Sequence, residues 1–383
     1  MDNGQWIISK TKFVLHGAGI FILIMVLLLI ACSSDTDNLS DYAENLRSKH
    51  NIPGMVAAVV KADTILEMFA LGHRKHRSKD LIALDDRFHI GSNTKSMTSF
   101  VAAHLVEQGK IDWKTEFLDL YPEWQSQIDS SFWGLTLSEL LSHRGKIQAF
   151  MTDAEFDSIS IANQLKSDQR REFNLYALNR KPIIPASLGY HYSNAGYSIA
   201  AQMLEKASNL SWEELVKKTF NDDLGLEIAF SWPNKIDEHQ PWGHWTEDGK
   251  LYPCPPEDDY DLDWLEPGGD VNISMPNYCR FIQMNLQGLS GNDNYLNSET
   301  YDLLHADPRG PIYAYGWANV QINGRPYSFH AGSAGTFLVH ASIDQTDLIA
   351  YVIMMNTSSP GAWEVATTLR SKMEDVHGFS PGM

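Results

Sequence analysis

The sequence predicts an α/β fold combined with an all-α part. One antiparallel sheet is built from both chain ends, helices pack on it, and a helical insertion lies between. Three observations predict this. Apolar runs rich in β-branched residues sit near both ends of the chain. Apolar residues at helical spacing fill the middle. No repeat or low-complexity linker divides the chain, so one sheet closed by its two ends fits better than tandem domains. The 383 residues are 43% apolar and 11% aromatic. That is enough for a large core, and it excludes a disordered tail, a collagen-like repeat and a small disulfide scaffold.

The elements follow in order. Residues 1–31 read as an export signal. Lys10 and Lys12 give a positive start, and Ile20–Ala31 is an unbroken apolar run, short for a spanning helix. The run ends at Leu29-Ile30-Ala31-Cys32 and turns polar at once. The competing reading is an uncleaved anchor over Phe13–Ala31; both place the rest of the chain outside the cytoplasm. Residues 32–383 then form a single catalytic domain. Its α/β part covers about 40–90 and 300–383, and its mainly helical insertion about 91–299.

Within that domain a short surface helix is expected over 36–50. Strands are expected over Met55–Lys61 and Ile65–Leu71. Met97, Phe100, Val101 and Leu105 repeat at helical spacing within 92–108, and Gly109 stops that helix. Further helices are expected over Leu135–His143, Ala195–Ala207, Trp212–Phe220 and 275–287. Residues 231–264 hold four tryptophans, five prolines and an acidic run, and read as a long ordered loop. Strands return over Tyr313–Ile322, Tyr327–His330, Thr336–Ala341 and Leu348–Met355, and a last helix covers 362–374.

Three short motifs carry chemistry. The first is Ser92-Asn93-Thr94-Lys95, opening a helix. Positions i and i+3 share a helix face, so Lys95 can sit beside the Ser92 hydroxyl. A serine alcohol needs a base, and a lysine serves if burial lowers its pKa. The helix N-terminus offers a free N–H to a developing oxyanion. Ser9 and Lys12 show the same spacing inside the export signal, so this motif alone decides nothing. The second is Tyr192-Ser193-Asn194, just before a helix. Its tyrosine can relay a proton if a nearby ammonium lowers its pKa, and its asparagine both donates and accepts. A helix N-cap explains it equally well. The third is His330-Ala331-Gly332-Ser333 at a strand end. Gly332 permits close approach to the backbone, and the Ser333 N–H can donate. His143-Arg144-Gly145 shares the His-x-Gly form, so this motif too is weak alone.

Together, in this order and spacing, the three motifs resemble those of the serine penicillin-recognising enzymes. The pattern is most similar to the branch of class C β-lactamases, DD-carboxypeptidases and related esterases. Leu140-Leu141-Ser142-His143-Arg144, Pro267-Gly268-Gly269-Asp270 and Tyr315-Gly316-Trp317 agree with it, and the resemblance spans residues 40–375. It implies a β-lactamase/transpeptidase-like fold. It further implies that Ser92 is acylated, that Lys95 takes or relays its proton, and that Tyr192 protonates the leaving group. Asn194 would hold an acyl-side amide and steady Lys95, and His330 would line the leaving-group side. The Ser92 and Ser333 amides, with Gly332 between strand and turn, would form the oxyanion hole. The N-terminal segment resembles a bacterial lipoprotein signal, which implies lipidation of Cys32.

The expected activity is exported acyl-enzyme hydrolysis of D-Ala peptides, β-lactams or small esters and amides. The alternative is a penicillin-binding sensor that is acylated and hardly turns over. One departure is His330, where many β-lactamases have lysine. A histidine is mostly neutral at pH 7 and attracts a substrate carboxylate less.

The expected partners are a small-molecule or peptide substrate and, through the lipid, the membrane. The formal charge of −18 and the lack of a basic run argue against nucleic acid as a partner. No cofactor and no metal are expected. Asp259, Asp261 and Asp263 mimic part of a calcium loop, but Trp264 and Asp270 stand where such a loop needs Gly and Glu. The acidic run therefore reads as a solvated loop. The pairs His73/His76 and His239/His244 lack the flanking ligands of a zinc site. The tryptophans of 231–264 either wall a substrate pocket or bury one another. Cys254 and Cys279 are left as either a bridge or two buried thiols.

Overall fold

The computed structural model describes residues 38–152, 155, 159, 161, 165–183, 189–306 and 312–378. Cys32 and the export segment lie outside the described residues. Among the described residues no helix is long and apolar enough to cross a membrane.

The strands are β1 (Gly54–Lys61), β2 (Ile65–Gly72), β3 (Arg87–His89), β4 (Ala229–Phe230), β5 (His244–Glu247), β6 (Lys250–Pro253), β7 (Val271–Ser274), β8 (Ala318–Ile322), β9 (Arg325–Ser333), β10 (Leu338–Asp344) and β11 (Ile349–Met355). The main sheet is antiparallel in the order β2-β1-β11-β10-β9-β8. Its first two strands come from one chain end and its last four from the other, as the sequence predicts.

The central strands are buried on both faces, and side chains alternate between two cores. Val56, Ala58, Val60, Val352 and Met354 face the helical body. Met55, Ala57, Val59, Tyr351 and Ile353 face a smaller core closed by Leu39 and Ala43 of helix Leu39–Lys49 and by Val365, Leu369 and Met373 of helix Pro360–His377. Each such aliphatic side chain contributes about 1.5–3 kcal/mol when fully buried. The register Val56↔Met354 and Val339↔Met354 keeps like faces together. A one-residue slip would exchange the two cores.

Helix Thr94–Glu107 lies inside the helical body and is buried on nearly every side. Its buried polar residues Thr94, Lys95, Thr98 and Ser99 each find a hydrogen-bond partner there. Helices Asn194–Ser208, Trp212–Lys217 and Ser298–His305 pack against it, Phe281 of helix Met275–Leu289 meets Phe100, and helix Lys166–Leu178 packs on the outer side of Asn194–Ser208.

Several local expectations are corrected. The segment 231–264 is not a plain loop: it holds helix Pro233–Ile236 and the hairpin β5–β6. The expected strand Tyr313–Ile322 begins only at Ala318, and Tyr313 makes one isolated bridge to it. The helix expected over Leu135–His143 is present but shorter, Leu137–Leu141. Cys254 and Cys279 are both buried free thiols. His244 is structural: its Nδ1 bonds the Asn356 carbonyl, and its Nε2 accepts from the His76 N–H. Among the described residues no group of three or more His, Cys, Asp or Glu side chains could hold a metal ion.

Candidate active site

Ser92 sits in a 3₁₀ turn, Gly91–Asn93, that leads into helix Thr94–Glu107. Buried hydrogen bonds fix this turn from three directions. Asn93 Nδ2 donates to the Val339 carbonyl of β10, and Tyr278 Oη donates to Asn93 Oδ1. The Val271 N–H of β7 donates to Thr94 Oγ1. Two glycines let the strand and turn meet. Gly91 has φ +52°, and a Cβ there would lie 2.5 Å from the Ser333 nitrogen. A Cβ on Gly332 would lie 2.0 Å from the Ile90 carbonyl oxygen and 2.7 Å from the Ser92 nitrogen. No side chain fits at either position, so the Ser92 turn and the Ser333 strand end pack backbone against backbone.

Lys95 lies one turn further on, fully buried. Its Nζ is 3.2 Å from Ser92 Oγ, 2.7 Å from Asn194 Oδ1 and 2.6 Å from the Gly268 oxygen. Burial pushes its pKa well below the usual 10.5. The neutral amine has two N–H groups and one lone pair. That set matches two carbonyl-type acceptors and one hydroxyl donor, so Nζ can receive the Ser92 proton.

Tyr192-Ser193-Asn194 enters the site through a helix start, so the N-cap reading holds, and the turn brings Tyr192 and Asn194 beside Lys95. Ser193 is the N-cap of helix Asn194–Ser208: its Oγ accepts from the Gly196 N–H and donates to the Gln148 carbonyl. The flanking residues then face the site. Asn194 Nδ2 donates to the Phe150 carbonyl, which aims its Oδ1 at Lys95. The Tyr192 ring lies 4.8 Å from Lys95 Nζ. Burial raises the Tyr192 pKa, opposed in part by a hydrogen bond with Ser92. The expectation that an ammonium lowers this pKa is therefore corrected: Tyr192 stays a neutral phenol, suited to donate a proton.

His330 is buried on β9. Its Nδ1 bonds the Ala331 carbonyl, so Nδ1 carries the proton, and its Nε2 accepts from Tyr313 Oη at 3.0 Å. Burial, and then the neighbouring Lys95, push its pKa down to about 3. His330 is therefore neutral at ordinary pH.

Two residues here escaped the sequence reading. Tyr313 had no motif around it. His143 served there only as a chance match to His-x-Gly and as part of a supporting stretch. Its Nδ1 accepts from the Ser193 N–H at 3.1 Å, and its ring lies 4.3 Å from Tyr192 and 4.5 Å from Tyr313. The unusual φ of +58° at His143, at the end of turn Leu137–Leu141, turns the ring inward.

Pro267-Gly268-Gly269-Asp270 forms the floor. Gly268 accepts from Lys95, and Thr98 Oγ1 donates to the Pro267 carbonyl. Asp270 is fully buried, accepts from the Ser231 N–H and pairs with His89 at 3.2 Å. A cavity of about 890 Å³ opens above, lined by Ser92, Tyr192, Asn194, Tyr313, His330 and Ser333, and by residues 260–265. Trp264 lines it, whereas Trp232 is buried in the core, stacked on His89 and donating to Thr336 Oγ1. The acidic run is solvent-facing as expected, with Glu257, Asp259 and Asp263 exposed, and Asp261 and Asp263 also border the cavity.

The Beta-lactamase family model matches residues 39–372. This chain belongs to the Beta-lactamase family. It is 25% identical over 319 residues to a penicillin-binding protein of Bacillus subtilis (strain 168), covering 78% of this chain and 67% of that protein. It is 23% identical over 302 residues to penicillin-binding protein 4 of Amycolatopsis lactamdurans, covering 76% and 77%. Among solved structures, the octameric penicillin-binding protein homologue from Pyrococcus abyssi superposes with a TM-score of 0.69 at 19% identity, over 88% of this chain and 77% of that one. SurE superposes with a TM-score of 0.67 at 18% identity, over 88% and 74%. These structures share the fold.

Proposed function

We propose that this chain is an exported serine acyl hydrolase that acts on amide or ester carbonyls through an acyl-enzyme at Ser92. One observation carries the reading: a buried lysine with no carboxylate among its hydrogen-bond partners touches the Ser92 hydroxyl at the floor of a large cavity. Ser92 Oγ bonds to the carbonyl carbon, and its proton passes to Lys95 Nζ. The Ser92 and Ser333 amides hold the oxyanion, each worth about 3–4 kcal/mol in such a site. As the carbonyl re-forms, the bond to the leaving group breaks, and Tyr192 supplies the proton that group needs. Water then attacks the ester, the proton path runs in reverse, and Ser92 is regenerated. D-Ala peptides, β-lactams and small esters or amides all suit this scheme. The Leu-Ile-Ala-Cys32 sequence supports lipid attachment to the cell envelope, which labelling with a radioactive fatty acid and a Cys32→Ser variant would test.

The test of the reaction is intact-mass spectrometry after mixing with a penicillin, a nitrophenyl ester and a D-Ala-D-Ala peptide in turn. A transient adduct on Ser92, followed by product and absent in Ser92→Ala, is expected with at least one. A long-lived penicillin adduct without product would mean a sensor. Acylation of a folded Ser92→Ala protein would overturn the assignment.

A further inference from the structure

Tyr192 has to meet a leaving group with its hydroxyl, and the residues on either side of it are tied to one side chain's position. The His191 N–H donates to the His143 carbonyl at 2.8 Å, and the Ser193 N–H donates to His143 Nδ1 at 3.1 Å. Asn194 is anchored elsewhere. Its N–H donates to the Ala149 carbonyl and its Nδ2 to the Phe150 carbonyl. The group that steadies Lys95 is thus held without the imidazole, whereas the backbone beside Tyr192 leans on it.

His143 is buried, with its ring between those of Tyr192 and Tyr313 at 4.3 and 4.5 Å. Because Nδ1 accepts, the hydrogen of the neutral ring sits on Nε2, and Nε2 is buried with no hydrogen-bond partner. Burial, and then the neighbouring Lys95, push the His143 pKa well below 6.5, so Nδ1 stays an acceptor. One acceptor atom is therefore the whole hydrogen-bonding contribution of this side chain, and it acts next to Tyr192. Resting on the hydrolase reading above, we infer that His143 is a positioning residue: its Nδ1, through the Ser193 N–H, holds the Tyr192 hydroxyl where the departing group takes its proton. The consequence is a dependence on the leaving group. A nitrophenolate leaves without a proton, whereas an alkoxide needs one from a placed acid.

The experiment uses the full chain and two esters of one acyl group, a nitrophenyl and a trifluoroethyl ester. The quantity read is the ratio of kcat/KM for the trifluoroethyl ester to that for the nitrophenyl ester, which reports acylation and leaves out the shared deacylation step. In His143→Asn the amide oxygen stands where Nδ1 stood, and asparagine tolerates the φ of +58°. In His143→Gln the amide lies one carbon further out, so the Ser193 N–H loses its acceptor. His143→Gln should lower the ratio by about tenfold or more, part of what a placed general acid supplies, and His143→Asn should keep it near the wild-type value. On a Tyr192→Phe background, His143→Gln should move the ratio no further. Because a ratio is read, a partly folded variant still reports. An unchanged ratio in His143→Gln, an equal loss in both variants, or a further fall on the Tyr192→Phe background would overturn the inference while leaving the hydrolase reading in place. Failure of both esters to acylate Ser92 in the unaltered chain would overturn the hydrolase reading and this inference with it.

Discussion

Two fully buried basic side chains among the described residues, Arg170 and Lys95, are treated in opposite ways. Arg170, on helix Lys166–Leu178, is fully buried. Its Nη2 lies 2.9 Å from Glu205 and 2.8 Å from Glu213, and Glu266 is 4.0 Å from Nη1. Its charge is matched by carboxylates on neighbouring elements. Lys95, equally buried, has a hydroxyl, an amide oxygen and a backbone carbonyl as its hydrogen-bond partners among the described residues, with no carboxylate there. Charge without a counter-charge is expensive in a low-dielectric interior, so the lysine gives up its proton more easily. The arginine cannot do so, and is held as an ion. The same burial thus yields a structural tie in one place and a base in the other. The partner carboxylate makes the difference.

Four outcomes would break or sharpen that contrast. The largest concerns Lys95. Its replacement by Met should lower Ser92 acylation by about 10²–10⁴-fold, the usual contribution of a general base. Stability, read by urea titration, should change by only about 1–3 kcal/mol, the cost of leaving two acceptors unmet. Next comes Arg170→Met. It should lower stability by about 3–5 kcal/mol because it leaves buried carboxylates unpaired. Acylation per folded molecule should hardly change, and adding Glu205→Gln should restore part of the loss. If Arg170→Met cost activity and Lys95→Met cost stability, the contrast would be reversed.

The third outcome is acid sensitivity. Burial lowers His305 and His340 to about 3 and His244 to about 4, against 6.5 in the unfolded chain. Between those values the unfolded chain binds more protons than the folded one. The stability these residues contribute is therefore fully present above pH 6.5 and is lost as pH falls toward about 3–4. His305→Gln should flatten the fall in urea midpoint across that window; an equally steep fall would contradict this assignment. The smallest effect is expected from His330→Lys. Turnover of a carboxylate-bearing substrate relative to a neutral one should rise about two- to tenfold, since a neutral ring becomes a cation. An unchanged ratio would show that no substrate carboxylate reaches β9.

Much of this was legible before the structure. The strands β1, β2 and β11 announce themselves by β-branched runs, and the central helix by the spacing of Met97, Phe100, Val101 and Leu105. Ser92 and Lys95 are local in sequence, so helical spacing alone puts them together. What joins them to Tyr192, Asn194 and His330 is tertiary, and only the order of three weak motifs hinted at it. Other features had signals that went unused. The β5–β6 hairpin turns at Asp248-Gly249, with φ +47° and +73°, and Asp-Gly is a strong hairpin signal. The tryptophans around it drew the eye to composition instead. Tyr313 offered no such signal, because its contact with His330 arises only when the strand edge folds back. The acidic run is solvent-facing as its charge suggests, and nothing in its own sequence shows that a cavity lies beside it.

The central claim is that Lys95 is the base for Ser92. The most direct measurement is the rate of Ser92 acylation by a nitrophenyl ester across pH, followed in a single turnover. The account predicts a rate that rises with pH and levels off with a midpoint well below 10.5, and a Lys95→Arg variant in which this limb is gone. A midpoint at the ordinary lysine value, or the same limb in Lys95→Arg, would contradict it.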